Sequence, residues 1–472
     1  MTTSLIERGM SLLRKIESLG DYRAYIVGGT PRDMLIGKES EDVDIATNCP
    51  MEVLERELIT FNIGKSKDFG ILVILHENTP FEVAQFRSDG EYSDGRRPDS
   101  ISIVRDFRSD AARRDFTINS MGMDSDGGII DHYGGIADLE AQTIRTVGDP
   151  LARFKEDYVR MMRAARFAAA EGFIIEKSTR RAIRRLFRLV RKVTPERIRG
   201  EIIKAAKKSG PEFANFIMIL DDLKLLYQIL PEVASMKYFN HDMVHHPEGL
   251  SVFTHSIECL KTMGGEAPPI SKIAALLHDI GKPVSFQEDR YGWKMSYHRH
   301  ERKSAQLAEE ICHRLRFSSF ETEAIVFAVK NHMKFHGLLE MKPSKISRLA
   351  DSQHFNTLVD VAKADEFSRG ETFMYRGEFD KVLERVEEIK ERWKSRIVNH
   401  STKLVDGNRI MKITGLDPGR IVGNIKRAVE DRIMDEQLDP DDLELIDKII
   451  LEEGKIVLGR REPELSQMKS RG

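Results

Sequence analysis

Three cysteines in 472 residues, Cys49, Cys259 and Cys312, are too few and too scattered for a disulfide framework or a cysteine-rich zinc cluster. Their rarity and odd number predict a reduced, cytoplasmic chain. No stretch approaches the roughly 20 apolar residues that span a bilayer, so no membrane partner is expected. The N-terminal segment MTTSLIERGMSLLRKIESLG is amphipathic with mixed charge and has no signal-peptide core. A charge excess is missing too: the net charge of −2 argues by itself for no class of partner. Internal repeats and low-complexity tracts are absent, as is any sign of an obligate protein partner. What is present is 40% apolar and 32% charged content, which describes a soluble, charge-rich, mostly helical protein. At 472 residues it exceeds one ordinary core, so three or four domains are expected.

Residues 23–135 alternate short β-type runs with helices. YRAYIVGG, EDVDIAT, GILVILH and PFEVAQFR read as strands, PRDMLIG and MEVLERELI as helices. SDGEYSDGRRPDS (88–100), which holds Arg96 and Arg97, is polar and glycine-rich and reads as a mobile loop. From about 150 helical patterning runs nearly to the end, broken at Gly172, Pro195, Pro231, Pro247, Pro268 and Pro343. Boundaries are expected near 235–240 and near 370. Between Arg180 and Lys208, lysine and arginine far outnumber the two glutamates, a stripe that could track a phosphate backbone. Charge alone reads equally well as a solvated helix face.

Asp42 and Asp44 lie two apart in EDVDIAT, and strand alternation points both side chains to one face. Two carboxylates so placed could bridge a pair of magnesium ions. A lone D-x-D is weak, but the Gly28-Gly29 turn upstream strengthens it. That turn lets backbone N–H groups approach a triphosphate, with Arg32 at hand for the phosphates. Glu82, on PFEVAQFR, is a candidate third carboxylate and equally an exposed strand residue. Asp115 and Asn119, four apart, would share a helix face and could hydrogen-bond a ribose, with Arg114 on phosphate. The plainer reading of that segment is a capped, ion-paired helix start.

Asp157 and Arg160 are i, i+3, so on a helix they face the same way. A carboxylate accepts from an exocyclic amine and a guanidinium donates to a ring nitrogen. One such pair could accept cytosine and adenine and reject uracil and guanine. Arg163 continues the ridge, whereas Arg166 is turned by about 180° from Asp157 and would serve phosphate or structure. In isolation such a helix is more often a surface salt-bridge pattern.

The motifs GGTPRD, DVD, RRDFTINSM and EDYVRMMRAARFAAAEGF, in this order, resemble the class II tRNA nucleotidyltransferases (CCA-adding enzymes) and the related bacterial poly(A) polymerases. The resemblance implies an α+β chain: a polymerase-β-like nucleotidyltransferase head over 1–148 and an all-helical neck over 149–238. An HD-type helical domain over 239–370 and a helical tail over 371–472 would follow. It makes Asp42 and Asp44 magnesium ligands and puts Gly29, with Gly28, Arg32 and Arg114 on the triphosphate. It assigns Asp115 and Asn119 to the ribose and Asp157 and Arg160 to the base, with Arg163 and Arg166 lining the site. The expected partners are CTP, ATP and the acceptor arm of tRNA. Tyr158-Val159 stands where the family usually has Pro-Leu, and Ser120 where alanine is more usual.

Ten of the fourteen histidines fall between His241 and His336. Within this cluster His255, His278-Asp279, His300 and His332, then Asp365, follow the order of an HD-type metal phosphohydrolase, which the segment resembles. The resemblance implies a divalent transition metal, with hydrolysis of a phosphate or cyclic phosphate as a second activity. His298 is an alternative to His300. An A-adding specialist or a poly(A) polymerase would share the head chemistry, although the full-length 88–104 segment argues against a CC-only enzyme. A reading of a different class makes the head a nucleotide-binding module and the HD site the main activity.

Overall fold

The computed structural model describes residues 4–40, 42–61, 70–92, 94–96, 98–240, 251–288, 295–335, 337–368, 376–399, 405–439 and 442–459. Arg97, His241, His245, His246 and His336 lie outside the described residues. The chain forms two compact units, Met1–Ile325 and Val326–Gly472.

The first unit begins with α1 (Leu5–Glu17), capped by Ser4, whose hydroxyl accepts from the Glu7 N–H while the Glu7 carboxylate accepts from the Ser4 N–H. The stripe Leu12, Leu13 and Ile16 packs on Ile26, Ile45, Leu72 and Val83 of a sheet. Its strands are β1 (Ala24–Val27), β2 (Asp44–Thr47), β3 (Thr60–Phe61), β4 (Ile71–His76) and β5 (Thr79–Gln85). A hairpin of β6 (Arg87–Asp89) and β7 (Ile101–Ile103) follows, and β8 (Gly122–Met123) and β9 (Ile129–Ile130) complete the sheet. The order is β3-β4-β5-β2-β1-β8-β9. Among the described residues of this sheet only β2 and β5 pair in parallel. Strand alternation sends Ile26 and Ile45 to the α1 face, and Val27 and Ala46 to a second cluster with Phe86 and Phe107. Helices α2 (Thr30–Leu35), α3 (Met51–Glu57), α4 (Phe107–Ala112) and α5 (Gly135–Glu140) fill the connections.

Two paired strands, β10 (Thr143–Ile144) and β11 (Ile174–Ile175), bracket α6 (Pro150–Glu156) and α7 (Arg160–Glu171). Helices α8 (Lys177–Leu186), α9 (Pro195–Ala206), α10 (Gly210–Asp222), α11 (Leu226–Ile229) and α12 (Pro231–Ser235) come next. They are followed by α13 (Val252–Lys261), α14 (Pro269–Leu277), α15 (Lys282–Ser285) and α16 (His300–Arg314). Lys272 of α14 is fully buried, and its ammonium donates to the carbonyls of Ala206 (3.2 Å), Lys208 (2.6 Å) and Ala267 (2.9 Å). Three acceptors offset the cost of burying that charge and tie the C-terminal end of α9 to α14.

The division between the units falls within α17 (Ser319–Phe335). The second unit continues with α18 (Pro343–Ala350), α19 (Phe355–Phe367), α20 (Arg376–Asn399), α21 (Gly407–Thr414), α22 (Arg420–Asp435) and α23 (Leu443–Gly459). Ile410, Ile425, Val429, Ile433 and Ile449 form its core. Arg348 of α18 pairs with Asp431 of α22 at 2.7 Å.

Four local expectations are corrected. Asp42 precedes β2, which starts at Asp44, so the two carboxylates do not alternate along one strand. Asp115 and Asn119 do not share an α-helix: Phe116 is extended and bridged to Thr146, and only a 3-10 turn (Thr117–Asn119) follows. Asp157 is extended (φ −147°, ψ 107°) between α6 and α7, so it and Arg160 share no helix face. Its carboxylate accepts from the Val159 N–H at 3.1 Å, a local turn that competes with helix. The 88–100 segment is not wholly loop, because β6 and β7 pair and Gly90 and Asp99 extend the ladder to Ser100 and Glu91.

Candidate active site

The antiparallel register of β1 and β2 sets Val27 opposite Asp44, and the chain then turns at Gly28 with φ +80°. A Cβ at Gly28 would lie 3.2 Å from Asp44 Oδ2, so only glycine leaves backbone and carboxylate this close without strain. The parallel register of β2 and β5 sets Asp44 beside Glu82. Asp42 is fixed by its own carbonyl, which accepts from the hydroxyls of Thr30 (2.7 Å) and Ser40 (2.8 Å). Partial burial, then the negative charges of Glu82 and Asp42, raise the Asp44 carboxyl above its usual value. Mutually repelling carboxylates beside a glycine turn are a donor set of the hard-oxygen kind that suits Mg2+.

Next to them lies a buried polar chain. Arg32 donates to Asn119 Oδ1 at 2.8 Å, Asn119 donates to Asp115 Oδ1 at 3.3 Å, and Arg163 donates to Asp115 Oδ2 at 2.7 Å. Burial opposes ionisation of Asp115, yet Arg163, then Arg160, and its hydrogen bonds hold it below the usual carboxylate range. Arg32, Arg163 and Arg166 approach the Phe167 ring at 5.2, 5.2 and 4.2 Å, so one aromatic ring gathers three guanidinium groups. Arg114 is held by Asp110 at 2.9 Å.

Asp157 and Arg160 each have another partner. Arg197 of α9 grips Asp157 with both arms, at 2.9 and 2.6 Å. Arg160 donates to Glu156 (2.5 Å) and to the carbonyls of Arg153 (3.1 Å) and Arg113 (2.9 Å). Arg166 pairs with Glu201 at 2.7 Å. Tyr158 reaches the hairpin tip, its N–H donating to the Gly95 carbonyl at 3.2 Å, and a Cβ on Gly95 would collide with its ring at 2.1 Å.

A cavity of about 960 Å³ joins these groups. Gly28, Gly29, Arg32, Asp42, Asp44, Arg114, Asp115, Asn119, Asp157, Arg160, Arg163 and Arg166 all line it, and Glu82 adjoins it through the register with Asp44. Sequence reasoning missed Arg197, Glu201 and Phe167. The first two are i, i+4 behind the Thr194-Pro195 helix start, so their common face was readable, though its target was not. Lys204, Lys207 and Lys208 extend the lining toward the basic stripe. In that stripe Arg181, Arg185 and Arg188 are exposed, while Arg180 and Arg184 share Asp222.

A second group of donors sits in the same unit. His255 comes from α13, His278-Asp279 from the end of α14, and His300 from the start of α16, and all four are buried. Asp279 Oδ2 is 3.2 Å from His278 Nε2 and 3.9 Å from His255 Nε2, and its Oδ1 is 3.2 Å from His300 Nε2. His298 is exposed, so His300 is the one that meets Asp279. The Nδ1 atoms of His278 and His300 face the carbonyls of Ala275 (2.7 Å) and Tyr297 (2.9 Å). A carbonyl only accepts, so Nδ1 carries a proton and Nε2 is turned inward to Asp279. His332 of α17 and Asp365 of α19, both buried, belong to the second unit. The His332 Nδ1 is likewise set by a carbonyl, that of Val329 at 2.7 Å.

Comparison with known families places three models along the chain. Residues 24–145 match the poly(A) polymerase head domain, 172–237 the probable RNA- and SrmB-binding site of polymerase A, and 252–370 the HD domain. The CCA-adding enzyme of Geobacillus kaustophilus is 41% identical over 230 residues, 48% of this chain and 55% of that one. The CCA-adding enzyme of Enterococcus faecalis is 44% identical over 194 residues, 41% of this chain and 47% of that one. The chain thus spans about half the length of the curated relatives it matches. Among solved structures, the Bacillus stearothermophilus CCA-adding enzyme in complex with CTP aligns with a TM-score of 0.62 at 22% identity, over 96% of this chain and 99% of that one. The Thermotoga maritima CCA-adding enzyme complexed with tRNA aligns with a TM-score of 0.52 at 19% identity, over 94% of each chain. These two likenesses concern the fold.

Proposed function

We propose, for a chain that belongs to the nucleotidyltransferases built on a poly(A) polymerase head and followed by an HD domain, that it adds C, C and A to the 3′ end of tRNA without a nucleic-acid template. The observation that carries this reading is the shared cavity, which holds the Asp42 and Asp44 carboxylates and the Asp157 and Arg160 pair together. The tRNA 3′ hydroxyl attacks the α-phosphate of CTP or ATP in line, and pyrophosphate leaves. Magnesium held by Asp42, Asp44 and Glu82 would supply positive charge at the attacking and leaving oxygens. Backbone N–H groups at Gly28 and Gly29, with Arg32 and Arg114, bind the triphosphate. Asp115 and Asn119 fix the ribose.

Base choice falls to Asp157 and Arg160. A carboxylate has about four lone-pair sites; the fork of Arg197 uses two and the Val159 N–H a third, which leaves Asp157 acceptor capacity for the exocyclic amine of cytosine or adenine. Arg160 has five N–H donors; three are used on Glu156, Arg153 and Arg113, and the other two would serve the ring nitrogen. Arg163 and Arg166 hold the wall through Asp115, Glu201 and Phe167. The exposed arginines of α8 meet the acceptor arm through its backbone. No helix among the described residues is long and apolar enough to cross a membrane, and a cytoplasmic setting suits three cysteines that form no disulfide.

At the HD domain we read a divalent transition-metal centre built on His255, His278, Asp279 and His300. It would hydrolyse a phosphate or cyclic phosphate at an RNA end. The inward-turned Nε2 atoms around Asp279 support it.

The test supplies tRNA lacking its 3′ end with Mg2+ and CTP alone, ATP alone, or both. Two additions with CTP and a third only when ATP is present are expected. One A added solely to a transcript already ending in CC would make the chain an A-adding specialist. Activity that survives Asp44→Asn would overturn the head as the catalytic site.

A further inference from the structure

We propose that Cys259 is a ligand of the HD centre, which makes it a site for a thiophilic divalent ion such as Zn2+ or Co2+ rather than for Mg2+. This rests on the metal-centre reading above and adds a residue outside the histidine and aspartate pattern. Cys259 and His255 are one turn apart on α13, so they share a face. Cys259 Sγ lies 3.4 Å from His255 Nε2. Two donors on one tetrahedral zinc, at about 2.3 Å for sulfur and about 2.0–2.1 Å for nitrogen, stand roughly 3.5 Å apart. The contact therefore has the span of a shared ion. The donor atoms of His255, Cys259 and His278 lie within 4.8 Å of one another, and all three residues are buried. Asp279 Oδ2, 3.2 Å from His278 Nε2, brings an oxygen donor to the same place.

The donor set is two imidazoles, a thiolate and a carboxylate. Thiolate selects softer ions, and its charge together with that of Asp279 balances a dication in a buried setting. The other two thiols are placed differently: among the described residues neither Cys49 nor Cys312 belongs to such a group of donors.

The experiment titrates metal-free, full-length protein with Co2+ and records its absorption spectrum. The expected result is a set of tetrahedral d–d bands together with a near-ultraviolet sulfur-to-cobalt charge-transfer band. Cys259→Ser should abolish the charge-transfer band and weaken Zn2+ binding by at least about tenfold, while Cys49→Ser and Cys312→Ser keep both. Tetrahedral bands without charge transfer in the unsubstituted protein would leave the metal centre standing and overturn the cysteine ligand. Absence of tetrahedral bands would overturn both. Should Cys259→Ser fail to fold, zinc-edge X-ray absorption of the Zn2+-loaded unsubstituted protein decides: a sulfur neighbour at about 2.3 Å is expected, and nitrogen and oxygen neighbours alone would overturn the proposal.

Discussion

Arg197 holds Asp157 with two parallel charge-assisted hydrogen bonds, 2.9 and 2.6 Å long, across forty residues of chain. The fork fixes the plane of the carboxylate, and with it the direction from which a base amine can be accepted. Arg197→Lys keeps the charge and loses the plane. We expect it to lower CTP and ATP addition by about 100-fold, the cost of a misplaced reactant, and to raise the share of UTP accepted. Single-turnover assays with each nucleotide separate the two effects. Unchanged discrimination would remove Arg197 from base positioning.

Asp44 predicts a pH effect that needs no substrate. Its folded-state carboxyl is raised by partial burial and by Glu82 and Asp42. Between its ordinary value and the raised one, the folded protein keeps a proton that the unfolded chain has lost. Metal-free protein should therefore lose stability as pH rises through that window. Asp44→Asn should melt higher than the unsubstituted protein above the window in chelator, while nucleotide addition falls by about 10²-fold or more. Thermal melts with and without Mg2+ check it, and a lower Tm for the variant in chelator would refute the repulsion argument.

The opposite sign is expected at Glu176, the cap of α8. Burial works against its charge, but the hydroxyl and N–H of Ser178 (2.5 and 2.7 Å) and the N–H of Thr179 (2.8 Å) bring its carboxyl down to about 2. This stabilisation is present above the usual glutamate value of 4.5 and is lost as pH falls toward about 2. Glu176→Gln should cost about 1 kcal/mol at neutral pH, and the gap should close in acid. Urea unfolding at several pH values measures it.

Arg181 and Arg185 are exposed on α8. Replacing each with Ala should weaken tRNA binding and flatten the dependence of log Kd on log salt by about one unit apiece, with nucleotide selectivity unchanged. Salt-series filter binding reads this, and an unaltered slope would return the stripe to a merely solvated face.

The parts legible in the sequence were those set by short-range rules. Strand alternation around Ile26, Ile45 and Val83 and the turn at Gly28-Gly29 need only period and backbone freedom. The grouping of Asp44 with Glu82 was less legible, because it depends on β2 and β5 pairing in parallel across 38 positions of sequence. The Glu156–Arg166 run is rich in helix formers, which hid the break at Asp157, where a side-chain hydrogen bond to the Val159 N–H competes with the helix. Arg197 and Glu201 were visible as a helix face, but their partners Asp157 and Arg166 lie thirty-five to forty residues upstream and meet them only through packing of α7 on α9.

Lys272 joins the helix that carries Arg197 to the helix that leads into His278 and Asp279. From α14, whose C-terminal residue is followed by His278, its ammonium donates to the last carbonyl of α9, that of Ala206, and to the Lys208 carbonyl just beyond the helix that carries Arg197 and Glu201. The helix whose Arg197 grips Asp157 and the helix that leads into His278 and Asp279 thus share one buried point of attachment.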